Sequence, residues 1–175
     1  EQERHAAPRD LRPESLRIRP PELECMEQLS VLLGRSPRGL KRFLNTYRLL
    51  KSRAPDLDAF LREDRPLAHY RAVLFLLALC TGAPSVAAKF IDEALEGGPA
   101  TLAQRLPEIS APDDERDRVR AWLQAEAGAQ WSALTLAQLQ QWAAEVVRFT
   151  FHWHRAPAPP ATGPPPSPGT RTPAA

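Results

Sequence analysis

Between Gly34 and Arg48 the chain reads Gly-Arg-Ser-Pro-Arg-Gly-Leu-Lys-Arg-Phe-Leu-Asn-Thr-Tyr-Arg, and the side chains whose spacing could do chemistry lie here. On a helix, Arg38, Lys41, Arg42 and Asn45 recur at i, i+3, i+4 and i+7 and share one face. Leu40, Phe43, Leu44, Tyr47 and Leu50 fall on the other side. Ser36 and Pro37 suit the N-cap and first helical positions, so the polar stripe starts in the first turn. Free N–H groups and the positive end of the helix dipole already favour an anion there. Guanidinium groups add paired donors that match a phosphate or a carboxylate. The chemistry expected of this stretch is anion binding.

Charge is distributed in keeping with that expectation. From Gln28 to Pro55 there is no acidic residue and there are seven basic ones: Arg35, Arg38, Lys41, Arg42, Arg48, Lys51 and Arg53. The whole chain carries +2, yet everything outside this window has 16 basic against 21 acidic residues, a net of −5. One basic region on an otherwise acidic chain points to a nucleotide, a nucleic acid or an acidic protein surface. The competing reading is a solvated basic face. Against it, the stretch contains no acid to relieve repulsion by i, i+4 pairing.

Other constellations are excluded by register or context. Gly34-x-x-x-x-Gly39-Leu40-Lys41 approaches a phosphate-cradling loop, but Leu40 holds the lysine position and a helix is expected before it instead of a strand. No catalytic residues are assigned, because nothing spells a nucleophile elbow, a Cys-His pair or the set needed for phosphoryl transfer. His152-Trp153-His154 points its two imidazoles in different directions on a helix and has no third ligand nearby, so no metal site is assigned. Asp113, Asp114, Glu115 and Asp117 read as acids at the favourable end of a helix. Trp122, Trp131, Trp142 and Trp153 read as packing residues. Cys25 and Cys80, in apolar surroundings and without a Cys-x-x-Cys, read as buried free thiols of a reducing cytoplasm.

The elements that must position the stripe are all helical. The expected fold is all-α, an irregular bundle of about six helices with a disordered Pro-rich C-terminal tail. Residues 1–15 read as a linker, 16–154 as the helical domain and 155–175 as the tail, in which residues 157–175 hold eight prolines. Leu16-Arg17-Ile18 alternates and reads as a short extended piece. Pro20-Pro21 opens a helix carrying Leu23, Met26, Leu29, Leu32 and Leu33, and Gly34 closes it. The basic helix runs to about Ser52. A short turn over Leu57–Leu61 is capped by Asp56. A helix from Pro66 to Thr81, apolar on most sides over Ala68–Thr81, belongs at the centre of the core. The run Ala72–Cys80 is too short for a membrane span, which needs about 20 residues. Further helices are expected from Pro84 to Leu95 with Gly97-Gly98 beyond, over Thr101–Leu106, from Asp113 to a stop at Gly128, and from a Thr135 cap to about His152. No internal repeat of fixed period is evident.

The stretch Gly34-Arg35-Ser36-Pro37-Arg38-x-Leu40-Lys41-Arg42-Phe43-Leu44-Asn45-x-Tyr47-Arg48-Leu49 resembles the C-terminal helical region of the KAP family of P-loop NTPases. In that family a Pro-Arg, Lys-Arg-Phe, Asn series follows the nucleotide-binding core. The approach Leu16-x-Ile18…Glu22-Leu23-x-x-Met26-x-x-Leu29 fits as well, so the resemblance covers about residues 16–51. It implies that this chain is the end of a larger ATPase, mostly found in bacteria and cytoplasmic or membrane-associated. The Walker motifs, ATP and Mg would then belong to an upstream core, with no cofactor held by this chain alone. By the same resemblance Arg38, Lys41, Arg42 and Asn45 would be the nucleotide-contacting residues, and the helices a lid and sensor. An opening at Glu1 without an initiator Met is what a piece of a longer chain would show. Two other readings of the same basic face stay open: a nucleic-acid-binding helical domain, and a protein-interaction module with the Pro-rich tail as linker or ligand.

Overall fold

In the computed structural model, residues 13–34, 36–62, 68–95, 100–109 and 111–150 are described. Six helices of 12 to 16 residues form among them: α1 (Pro20–Leu33), α2 (Pro37–Ser52), α4 (His69–Gly82), α5 (Pro84–Leu95), α7 (Asp113–Gln124) and α9 (Leu136–Phe149). The short helices α3 (Leu57–Leu61), α6 (Leu102–Arg105) and α8 (Glu126–Ala129) and two 3-10 turns join them. There is no strand among the described residues, only an isolated bridge between Thr101 and Thr135. The architecture is the all-α bundle expected.

Helix α4 is central because its sequence gives it no polar side. Every residue from Ala72 to Cys80 is buried, and α1, α2, α3, α5 and α9 all pack on it. Burying one Leu or Phe side chain contributes roughly 1.5–3 kcal/mol, so this helix supplies much of the drive to fold. Its closest neighbour is α1. A Cβ on Gly82 would stand 1.6 Å from the carbonyl oxygen of Leu32, so the crossing of the two helices requires glycine at that point. A second cluster stacks Phe75 on Trp122 at 5.8 Å, with Phe90 and Trp131 against the same ring. Both indole N–H groups are satisfied by one residue of α1: Trp122 donates to the Gln28 carbonyl at 2.8 Å and Trp131 to the Gln28 side-chain oxygen at 3.1 Å.

Helix α7 fastens the α4–α5 junction from outside. Glu115 accepts hydrogen bonds from the Ser85 N–H at 2.8 Å, the Val86 N–H at 3.2 Å and the Ser85 hydroxyl at 3.2 Å. Arg118, one turn on, donates to the Gly82 carbonyl at 2.7 Å. A negative group thus sits at the positive end of α5 and a positive group at the negative end of α4. The acids at the start of α7 divide accordingly. Asp113, Asp114 and Asp117 pair along their own helix with Arg116, Arg118 and Arg120, whereas Glu115 reaches across to another one.

Several local expectations are corrected. Of Leu16-Arg17-Ile18, Leu16 closes a 3-10 turn over Glu14–Leu16, and the backbone is extended at Arg17 and again at Arg19 before α1. No strand pairs with this stretch among the described residues, and Glu14 draws in both Arg17 and Arg19. Gly128 does not stop α7, which ends at Gln124; it lies inside α8, where a Cβ would come within 2.2 Å of the Trp122 carbonyl oxygen. Leu23 is 50% exposed and Glu22 takes the buried position beside it. The last helix ends at Phe149. The expected helix start at Pro66, the stop at Gly97-Gly98, the residues 1–12, His152-Trp153-His154 and the Pro-rich tail lie outside the described residues.

Candidate anion-binding face

Ser36 starts α2 as expected, its hydroxyl oxygen accepting from the Gly39 N–H at 3.2 Å. Gly34, at φ +70°, turns the chain out of α1 just before it. Arg38, Lys41, Arg42 and Asn45 are all exposed, and Phe43, Tyr47 and Leu50 are buried on the opposite side. Leu40 departs from the expected apolar face and is 47% exposed. A helical wheel has no coordinate along the axis, and burial on α2 begins only with Phe43.

The four stripe residues do not converge on one point. Arg38 and Arg42 line a cleft of about 220 Å³ between α2, the end of α4 and the end of α9. Lys41 and Asn45 lie outside that cleft on the other flank of the stripe. The cleft's lining combines apolar residues, among them Phe43, Leu77 and Phe149, with Ser36, Thr46, Thr81 and Thr150, and the Thr81 hydroxyl is spent on its own helix, donating to the Leu77 carbonyl at 2.7 Å. Among the described residues no carboxylate lines it. Cys80 also reaches it, but burial pushes this thiol up to about 12, so it is a neutral, inert wall at physiological pH.

The far end of α2 is held by a group of residues not singled out from the sequence. Glu22, Tyr47 and Lys51 are 1%, 0% and 1% exposed. The Lys51 ammonium donates to both Glu22 oxygens, at 2.9 and 2.7 Å, and to the Arg17 carbonyl at 2.6 Å. Glu22 also accepts from the Tyr47 hydroxyl and from the Arg19 N–H at 2.7 Å. All three ammonium protons therefore have acceptors, and both carboxylate oxygens are doubly engaged. The cluster ties α1, α2 and the segment before α1 into one joint. Burial, then the adjacent Glu22 carboxylate, drives the Tyr47 hydroxyl far above its ordinary range, so it acts only as a donor. The signal was present in sequence: Lys51 stands one turn beyond Tyr47 and two beyond Phe43, in the middle of the apolar face.

No protein-family model, curated protein or solved structure matches the chain. The site therefore rests on its own geometry. Among the described residues no group of His, Cys, Asp and Glu is placed to hold a metal ion, and no described helix is long and apolar enough to cross a membrane. The arrangement offers donors and positive charge on one face of a helix. What it can do chemically is hold an anion.

Proposed function

We propose that this chain is the C-terminal helical lid and sensor of a KAP-type P-loop NTPase. The face formed by Arg38, Lys41, Arg42 and Asn45 would contact the phosphates of ATP held with Mg by a core upstream in the same polypeptide. The reading is supported by one observation above others. Four exposed polar groups, three of them cationic, stand on a helix whose start is capped by Ser36 and whose end is locked by the buried Glu22–Lys51 pair. A sensor must keep its donors on a rigid element so that a change at the phosphate moves the whole lid. The chemistry of hydrolysis is assigned to the core, and nucleotide contact to this chain.

Nucleotide is favoured over nucleic acid by the aromatic residues of α2. Proteins that hold single strands stack bases on exposed rings set among basic groups. Here Phe43 and Tyr47 are both buried in the core.

The test uses a protein that contains both the core and this chain. Arg42→Ala should lower ATP turnover by roughly tenfold or more, a loss of about 1.4 kcal/mol in transition-state stabilisation, with helicity by circular dichroism unchanged. Unchanged turnover in both Arg38→Ala and Arg42→Ala removes the sensor role.

A further inference from the structure

We infer that the segment entering the domain, Glu14–Arg19, is a strap latched to the far end of α2 by the buried Glu22–Lys51 pair, and that it opens as a unit while the helices stay folded. This goes beyond the lid reading and does not rest on it, because it requires no upstream core.

The first argument is where the latch takes hold. The Lys51 ammonium donates to the Arg17 carbonyl at 2.6 Å, and the Glu22 carboxylate accepts from the Arg19 N–H at 2.7 Å. One hold comes from α2 and the other from α1. Both grip backbone, so they act whatever side chains stand at 17 and 19. A buried ion pair roughly breaks even against apolar residues of the same volume. What it adds is direction, since donors and acceptors fix positions that an apolar contact leaves loose. Two of those directed bonds go to the strap.

The second argument is how shallowly the strap itself is set. None of Glu14–Arg19 is fully buried, whereas Glu22, Tyr47 and Lys51 all are. Ile18 packs against the core but is only partly buried. Glu14 meets Arg17 at 3.4 Å and Arg19 at 3.1 Å, so these ion pairs lie within the strap and travel with it. Segments with few buried apolar contacts open at a lower free energy than the core.

The third argument is what opening leaves behind. Lys51 keeps both Glu22 oxygens, and Glu22 keeps the Tyr47 hydroxyl. No buried charge loses its countercharge, which is the costly event in such a pair. One ammonium proton and one carboxylate lone pair turn to entering water instead. The strap therefore has a docked and a released state, and α1 stays joined to α2 in both. Docked, it carries a displacement of the preceding chain to α2, the helix with the basic face; released, it does not.

The experiment follows amide exchange in the full 175-residue chain by two-dimensional NMR at low urea, with tryptic cleavage as a second reading. The Arg19 N–H should exchange at least about tenfold faster than the slowest amides of α4, and with less dependence on urea, because the strap exposes little surface on opening. Trypsin cuts the Arg17–Ile18 bond, while Pro20 blocks cleavage after Arg19. In Glu22→Gln combined with Lys51→Met, exchange at Arg19 and the yield of a fragment starting at Ile18 should both rise by at least about tenfold relative to exchange in α4. Glu14→Gln, which alters only pairs within the strap, should change either by less than about twofold. Arg19 exchanging at the rate and urea dependence of α4 overturns the proposal, because the segment is then part of the core. That comparison decides on the wild type alone if the double variant does not fold. An unchanged ratio in a folded double variant overturns it too, since Ile18 and not the latch then holds the segment. An equal rise in Glu14→Gln also overturns it, since exposed pairs then hold the strap. None of these readings involves ATP, so the lid reading stands or falls separately on turnover.

Discussion

Two charges inside this domain, on Glu22 and Lys51, are each about 1% exposed, and what keeps them there is the completeness of their hydrogen bonding. A buried ion pair roughly breaks even against apolar residues of the same volume, but a buried charge that loses its partner does not. Lys51→Met should therefore destabilise the domain by roughly 3–5 kcal/mol, because Glu22 keeps its neighbours and loses its countercharge. Glu22→Gln combined with Lys51→Met should recover most of that loss, leaving mainly the bonds to the Arg17 carbonyl and Arg19 N–H weakened. Urea denaturation of the two single variants and the double variant measures this as a coupling energy. Additive single effects would mean that the pair is not a unit. At this scale the sequence was partly legible. The spacing of Arg38, Lys41, Arg42 and Asn45 carried the exposed face correctly, because period alone decides it. The same period placed Lys51 among Phe43, Tyr47 and Leu50, but its carboxylate partner lies on another helix, and no local pattern names it.

Most helix starts here carry their own caps, but the corner between α4 and α5 is closed off by another helix. Pro84 begins α5 directly after the end of α4, so the last carbonyls of one helix and the first N–H groups of the next meet at a single corner. Glu115 and Arg118 of α7 satisfy both sides of that corner. Glu115→Ala removes the acceptor for two backbone N–H groups and a favourable dipole contact, and should cost about 1–2 kcal/mol, as loss of an N-cap does. Asp114→Ala, on the same turn but exposed and paired only along its own helix, should change stability by less than about 0.5 kcal/mol. Thermal melts of the two variants side by side separate the cap from generic helix-end charge; equal shifts would sink the distinction. Element boundaries were legible where chemistry is local, as at Ser36, Gly34 and Asp56, each of which does what its type suggests. They were not legible where a helix end is set by a neighbour. The repeated Thr-Leu-Ala-Gln at 101–104 and 135–138 shows the difference. Each copy is a capping box readable in isolation, yet the two cross-bond through Leu102 N–H to the Leu134 carbonyl at 2.7 Å and Leu136 N–H to the Ala100 carbonyl at 3.2 Å, and only the fold brings them together. The cleft is a larger case of the same kind, since Gly39, Thr81 and Phe149 meet there from three separate helices.

For the whole molecule, the weakly acidic groups of the core set how stability responds to alkali. Burial is the first cause in each case. It raises the Cys80 thiol from an ordinary 9.0 to about 12 and the Tyr70 hydroxyl from 10.0 to about 12, and it moves Cys25 and Tyr47 in the same direction. Below pH 9 both the folded and the unfolded chain keep these protons, and the full stability is present. As pH climbs past 9 and then 10, the unfolded chain releases protons that the folded chain still holds, so unfolding is favoured. Each such group contributes a slope of up to about 1.4 kcal/mol per pH unit until its folded value is reached. The urea midpoint should therefore be level from about pH 7 to 8.5 and fall steeply toward pH 11. Cys80→Ala should soften the first part of the fall and Tyr70→Phe the part above pH 10, each against its own neutral-pH stability. A midpoint still level at pH 11 would show that the thiols and phenols are not held apart from water in the folded state. The packing of α4 between α1, α2 and α9, on which their burial depends, would then be looser than described.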